Sequence, residues 1–166
     1  MALARYPVAV VSAGAKAVLD LSKTLERLET LGVPVIGYRT AEMPAFYARQ
    51  SGLKLGLTVS DPHTLARVLK AHWRVHPQMG VLIANPIPEA HALPQGLIDD
   101  AIERALADAK REGVRGKALT PFLLGRLDEM TEGRSVEANI ALAEDNARLG
   151  GELAVALSTL MEEERE

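Results

Sequence analysis

Residues 7–14 read PVAVVSAG, a continuous apolar run that ends in three small residues. This pattern is typical of a strand buried on both faces of a parallel sheet and followed by a sharp turn. From Ala15, apolar residues recur at helical spacing as far as Leu31, and Gly32 stands where a helix commonly ends. A second apolar run, 33–38, follows at once. These segments predict a strand–helix–strand unit with parallel strands and a right-handed crossover.

The rest of the chain continues the alternation of strands and helices. Residues 53–59 predict an edge strand, Asp61–Pro62 predicts the start of a helix that runs to about Val75, and 81–86 predict another buried strand. Three further helices are predicted over Gln95 to Glu112, Thr120 to about Glu132 and Ser135 to about Glu163. We therefore expect one α/β domain over 1–166, with a layered, mainly parallel sheet flanked by helices and a helical C-terminal part.

The composition excludes several classes of protein. Nineteen basic and 22 acidic side chains give a net charge of −3, without the clustered basic face that duplex nucleic acid requires. The absence of cysteine excludes disulfides, thiolate metal sites and a thiol nucleophile, and it fits a reducing compartment, which we expect to be the cytoplasm. No apolar run approaches the ~20 residues of a membrane span, so no membrane partner is expected.

Lys16 is the first candidate for chemistry. It follows the small residues 12–15 at the carboxyl end of the first predicted strand, where open α/β sheets bind their ligands. A position in the first turn of a helix, together with burial, would favour the neutral amine that a Schiff-base nucleophile requires. The alternatives are a solvent-facing lysine at a helix start and a simple phosphate contact. The segment matches neither the dinucleotide-binding fingerprint nor the Walker loop.

Two asparagines are candidate substrate-binding residues. Asn85 ends a predicted strand before Pro86, which places its amide toward the same crevice; the alternative is an asparagine that closes a turn. Asn139 lies between Ala138 and Ile140 near the start of the last predicted helix. A polar amide on a mostly apolar helix needs a hydrogen-bond partner, from substrate or from backbone.

The sequence predicts no metal site. His72 and His76 can share a helix face, but no third ligand stands at helical or hairpin spacing from them. The carboxylates of Asp20, Glu42 and Asp61 are scattered, and nothing in their spacing indicates a paired acid and base.

Six segments carry a family resemblance over almost the whole chain. They are PVAVVSAGAKAVLD at 7–20, TLERLETLGVPVIGYRT at 24–40, MPAFYARQSG at 43–52, GVLIANPIPE at 80–89, TPFLLGRLDEMTEG at 120–133 and SVEANIALAEDNARLGGELAVAL at 135–157. In this order and spacing they resemble the C-terminal half of the pseudouridine-5'-phosphate glycosidase family, also called indigoidine synthase A-like. Six ordered motifs are far more specific than any one of them.

The resemblance implies reversible cleavage of the C–C glycosidic bond of pseudouridine 5'-phosphate to uracil and ribose 5-phosphate. It also implies a divalent metal, typically Mn2+, and a homotrimer. In the family, the lysine of the AGAK motif forms the covalent adduct with the ring-opened sugar, and it falls on Lys16. The asparagine of the EANIAL motif lines the active site and falls on Asn139. Family members usually carry Cys at the position of Ser12, a difference that leaves the proposed nucleophile in place.

The same resemblance implies that part of the family's machinery stands elsewhere. In the family, the proton-donor Glu, the metal-binding Asp and most phosphate contacts precede the first strand seen here. We therefore expect a fragment, a truncated reading frame or one half of a split enzyme completed by a separate N-terminal half chain. The missing layer is expected to leave an apolar face of the sheet bare. The alternative is a catalytically inactive oligomerising or sugar-phosphate-binding module.

Overall fold

A parallel sheet forms the centre of the fold. The computed structural model describes residues 2–15 and 19–163. Within these ranges the sheet has four strands in the spatial order β1-β4-β2-β3, and every pairing is parallel. The strands are β1 (Ala9–Ser12), β2 (Val35–Tyr38), β3 (Leu57–Val59) and β4 (Val81–Ala84). The predicted parallel arrangement of the first two strands is confirmed, but β4 lies between them.

Helices account for most of the remaining chain. The described ranges contain five α-helices, and the α/β class is confirmed. They are α1 (Leu21–Thr30), α2 (Pro62–Val75), α3 (Gln95–Arg111), α4 (Leu119–Met130) and α5 (Arg134–Glu162). Short 3-10 turns cover Glu89–His91 and Gly116–Ala118. None of the described helices has the length and hydropathy that a membrane span requires.

The predicted start of the first helix at Ala15 is wrong. The helix α1 begins at Leu21, and the Asp20 carboxylate accepts a hydrogen bond from the Lys23 N–H at 3.0 Å. A side-chain oxygen at this position satisfies a backbone donor of the first turn, so the cap determines where the helix begins. Apolar spacing alone cannot locate that point. The small residues 13–15 form a bend after β1.

The edge strand predicted over 53–59 is confirmed as β3 but is shorter than predicted. The residues before it pair elsewhere, because Lys54 forms an isolated antiparallel bridge with Glu42 and the Leu55 N–H donates to the Ala41 carbonyl at 2.9 Å. The sheet therefore ends in three paired residues with exposed Leu57 at the edge.

The largest part of the core lies between the sheet and the pair α2 and α5. Ile36 and Ile83 from the sheet pack there with Leu69 of α2 and with Leu149 and Leu153 of α5. A smaller cluster on the opposite face joins Leu82 and Ala84 to Met43, with partly buried side chains of α1 beside it. The two faces of the sheet are therefore covered by side chains to different extents.

The strand β1 forms an edge of the described sheet and presents apolar side chains to solvent. Val8 and Val10, which point to the same side, are 43% and 38% exposed, and the nearby Tyr6 is 60% exposed. Parallel sheets are normally covered on both faces. This exposure agrees with the expectation of a bare apolar face.

The bend after β1 depends on Gly14. Its φ is +98°, and a Cβ added there would lie 2.0 Å from the Pro44 carbonyl oxygen. The Ala13 carbonyl accepts a hydrogen bond from the Phe46 N–H at 2.9 Å, so the segment that crowds Gly14 also holds the bend. Glycine avoids the steric cost of a left-handed backbone here.

Gly14→Ala is expected to lower the free energy of unfolding by about 2–5 kcal/mol, because the methyl meets backbone in a left-handed conformation. Gly125→Ala in α4 is the matched control, since an added Cβ there has no heavy atom within 4 Å. Alanine at that helical position is expected to stabilise by about 0.5–1 kcal/mol. Urea unfolding measures both; a Gly14→Ala chain as stable as wild type would contradict the packing at this bend.

Candidate functional site

The carboxyl ends of the strands define the candidate site. The strand β1 leads into Ala13, β2 into Arg39, β3 into Ser60 and β4 into Asn85. Because the described strands are parallel, these four residues lie at one edge of the sheet. Open α/β sheets bind ligands in the crevice outside this edge.

Lys16, the predicted nucleophile, lies outside the described residues. On its amino side, the described bend 13–15 leaves β1 at the candidate edge. The helix α1 begins only at Leu21, so its position gives no support to the argument that a helix dipole favours a neutral Lys16. The catalytic role of Lys16 stays a prediction that rests on the resemblance.

Asn85 is buried at the carboxyl end of β4, with 4% of its surface exposed. Its backbone N–H donates to the Ser12 carbonyl at 2.9 Å, which joins it to the end of β1. Its side-chain Nδ2 donates to Asp145 Oδ2 at 2.8 Å and to Asn146 Oδ1 at 3.0 Å, both on α5. We call these three side chains the Asn85 cluster. Asn85 thus lies at the predicted edge, its amide donors face α5, and its substrate contact stays a prediction.

Asp145 is the charged member of the Asn85 cluster. Burial raises the pKa of its carboxyl, but hydrogen bonds from the Arg148 guanidinium and from Asn85 outweigh burial, with further attraction from the Arg148 and Arg39 charges. The net effect lowers the pKa of Asp145 below its ordinary value. Its carboxylate therefore remains ionised at neutral pH and accepts hydrogen bonds from both neighbours.

Asp145 and Asn146 were not among the residues predicted from the sequence. The buried residues of α5 recur every three or four positions, as expected for a helix with one face in the core. They are Ser135, Ala138, Leu142, Leu149, Leu153 and Ala156. In this stripe, Asp145 and Asn146 occupy the turn between Leu142 and Leu149. Polar residues at that point were a signal available in the sequence.

Asn139 is exposed on α5, so the fold alone does not require a protein partner for its amide, and the partner predicted from substrate or backbone stays untested. The neighbouring Ala138 takes the core position, with 1% exposed, whereas Ile140 is 54% exposed. Water can satisfy an exposed amide without a protein partner. The active-site role of Asn139 stays a prediction.

The candidate metal ligands considered in the sequence do not come together in the part of the chain that is described. The His72 and His76 rings lie 5.4 Å apart, and no group of three possible ligands occurs among the described residues. Asp20 and Asp61 cap α1 and α2, while Glu42 binds the Lys54 amine at 3.0 Å. The described residues therefore do not fit a site for Mn2+.

A cavity lies beside the start of α1. Its volume is about 320 Å³, and its lining residues include Leu21, Ser22, Ser51 and Asp99. This volume falls within the range of small-molecule sites. A pocket of small-molecule size therefore adjoins residues that follow Lys16 in sequence.

The chain is similar to known proteins over almost its whole length. Residues 1–156 match the family model described as indigoidine synthase A like protein. A pseudouridine-5'-phosphate glycosidase from Caldanaerobacter subterraneus subsp. tengcongensis is 56% identical over 161 residues, which are 97% of this chain and 52% of that protein.

Two solved structures are similar as well. The prealnumycin C-glycosynthase AlnA, crystallised in complex with ribulose 5-phosphate, matches with a TM-score of 0.90 and 38% identity over 97% of this chain and 53% of its own. An indigoidine synthase A-like protein from Thermotoga maritima matches with a TM-score of 0.81 and 38% identity over 93% of this chain and 51% of its own. The chain spans about half the length of the curated relatives it matches.

Asp145→Asn is expected to lower the free energy of unfolding at pH 7 by about 1–2 kcal/mol, because it removes a partly buried, charge-assisted contact. The folded-state pKa of Asp145 lies below its unfolded value, so the ionised carboxylate stabilises the fold above about pH 4, and this contribution is lost as the pH falls through the folded-state value. The difference from wild type should therefore shrink between pH 5 and pH 3.

Urea unfolding at pH 7, 5 and 3 measures this difference. Glu144→Gln is the matched control, since Glu144 is the exposed neighbour on the same helix and its replacement should change stability by less than about 0.5 kcal/mol. A difference between Asp145→Asn and wild type that is constant with pH would contradict the assignment.

Proposed function

The chain belongs to the indigoidine synthase A-like family, and on this basis we propose that it supplies the lysine-bearing half of a C-glycosidase. The proposed reaction is reversible cleavage of pseudouridine 5'-phosphate, with water, to uracil and ribose 5-phosphate. The observation that carries the proposal is 56% identity, over 97% of this chain, to a protein named pseudouridine-5'-phosphate glycosidase. The similarity to a C-glycosynthase crystallised with ribulose 5-phosphate supports a sugar phosphate as the ligand.

In the proposed reaction, the amine of Lys16 is the nucleophile. Its nitrogen lone pair forms a bond to C1 of the sugar as the bond from C1 to the ring oxygen breaks, and that oxygen takes up a proton. The C–C bond to uracil then breaks, its electron pair takes up a proton at C5 of the base, and the nitrogen lone pair forms an imine with C1. Hydrolysis of the resulting imine returns the amine and releases ribose 5-phosphate. The close-packed bend that precedes Lys16 supports this role, because Gly14 and the buried Ala13 leave little room for the segment to shift.

The proposed activity needs the half of the relatives' length that this chain does not match. Two observations support this requirement: the chain covers 52% of its relative, and Val8 and Val10 are exposed at the edge strand β1. The resemblance assigns the proton donor and the Mn2+ ligand to that other half. A homotrimer and a cytoplasmic location likewise remain predictions.

An inactive sugar-phosphate-binding module is the second candidate. It is motivated by the resemblance, which assigns the proton donor and the metal ligand to a part of the relatives that this chain does not match. Loss of metal and acid would remove charge stabilisation of the transition state that binding alone cannot replace. The two candidates differ in what happens when the other half is supplied.

Release of uracil from pseudouridine 5'-phosphate in the presence of Mn2+ tests the proposal. The chain should be inactive alone and active when mixed with a separately expressed N-terminal half of the Caldanaerobacter relative. Lys16→Ala should reduce the activity of the mixture by about 100-fold or more, since it removes the covalent route.

Two outcomes would contradict this proposal. Turnover by the Lys16→Ala mixture at the wild-type rate would exclude the lysine as nucleophile. Binding of ribose 5-phosphate without turnover in the wild-type mixture would instead favour the inactive module.

Val8→Lys is expected to weaken association with the N-terminal half by about tenfold or more, because it places a charge in a surface that becomes buried. Val75→Lys is the matched control, since Val75 is 71% exposed at the end of α2, a helix that packs on the face of the sheet opposite to Val8 and Val10. Sedimentation or light scattering of the mixtures measures association. Equal weakening by both substitutions would contradict an interface at β1.

A further inference from the structure

The Asn85 cluster interrupts an otherwise apolar contact between the sheet and α5. Leu142 precedes the cluster in the stripe, and Leu149 follows it inside the main core. Apolar side chains tolerate small shifts of a helix along its neighbour, because their contacts have little direction. Hydrogen bonds away from solvent do not tolerate such shifts, because a shift leaves their polar groups without partners.

The geometry of the cluster selects one register of α5. A slip by four residues, which keeps the apolar stripe of α5 close to the core, would move the helix about 6 Å along its axis and turn it by about 40°. Asp145 Oδ2 and Asn146 Oδ1 would then lose the Asn85 amide, which donates to them at 2.8 Å and 3.0 Å. The register is therefore set by a polar contact that apolar packing cannot replace.

Asn85 also joins α5 to the strand that leads toward Lys16. Its backbone N–H donates to the Ser12 carbonyl, the last residue of β1, at 2.9 Å. One residue thus connects the ends of two neighbouring strands to the helix that carries Asn139. Asn139 and Asn146 stand two helical turns apart, so they share a face of α5 and move together.

We infer that Asn85 is a positioning residue, which fixes the register of α5 and so sets where Asn139 lies relative to the end of β1. The inference rests on the proposed function, because Asn139 matters only if this edge binds the substrate. The role differs from the substrate contact predicted for Asn85, since its two amide donors are directed at α5.

Steady-state kinetics of uracil release by the reconstituted mixture test the inference. Asn85→Ala should lower kcat by about tenfold or more while KM changes by less than about threefold, because displaced groups impair the reacting geometry. Asn139→Ala should lower activity as well. The kcat of the double variant should be no lower than that of the less active single variant, because Asn85 acts through Asn139.

Val68→Ala controls for a loss of stability alone. Val68 is partly buried in α2 against the main core, so its truncation destabilises the fold without touching the cluster. It should lower the melting temperature and leave kcat unchanged at temperatures where the chain is folded. Independent, additive losses for Asn85→Ala and Asn139→Ala, or a rise in KM alone for Asn85→Ala, would overturn the inference.

The inference remains testable if the wild-type mixture releases no uracil, a result that counts against the proposed function. In the 15N-labelled chain alone, Asn85→Ala should shift the side-chain amide resonances of Asn139, and Val68→Ala should leave them in place. Unshifted Asn139 resonances in Asn85→Ala would overturn the positioning role by themselves.

Discussion

The carboxyl end of β4 is the point on which the other parts of the candidate site depend. All four residues of β4 are buried, and the strand pairs with β1 on one side and with β2 on the other. Directly after it, Asn85 donates its backbone N–H to β1 and its side-chain amide to α5. A buried amide without partners would cost about 1–3 kcal/mol, so these contacts hold three elements in a fixed relation.

This relation gives the family motifs a physical meaning. The AGAK segment follows β1, the NPIP segment follows β4, and the EANIAL and EDNARL segments lie on α5. They are distant in sequence, and Asn85 brings together the three elements that carry them. The strand β1 is exposed in a chain that spans about half of its relatives' length, and under the proposed function the unmatched half of the relatives would cover it.

Local sequence signals predicted much of the fold but not its long-range contacts. The helix α2 begins at Pro62 as predicted, because Asp61 accepts the Thr64 N–H at 2.8 Å and proline suits the first turn. The start of α1 was misplaced, because apolar spacing continued across a bend while the true cap was Asp20. The insertion of β4 between β1 and β2 could not be read from the chain, because strand order depends on pairing between residues far apart in sequence.

In the candidate site, too, local features were predicted from the sequence but long-range contacts were not. Asn85 was predicted to lie at a strand end because it follows an apolar run. Its partners Asp145 and Asn146 could be recognised in the sequence only as polar residues that interrupt the apolar stripe of α5. Whether Asn139 is buried depends on which face of α5 meets the sheet. The neighbouring Ala138 takes the buried position, so Asn139 is exposed. The catalytic role of Lys16 is predicted only from the family motif that contains it.

The most direct test of the central claim is covalent trapping. The chain, mixed with the N-terminal half, is treated with ribose 5-phosphate and borohydride, and the peptide that contains residue 16 is analysed by mass spectrometry. Our account predicts a reduced pentose phosphate adduct on Lys16, formed by loss of water and addition of two hydrogens, and none on the same peptide of Lys16→Ala. An adduct spread over surface lysines, with none on Lys16, would contradict the account.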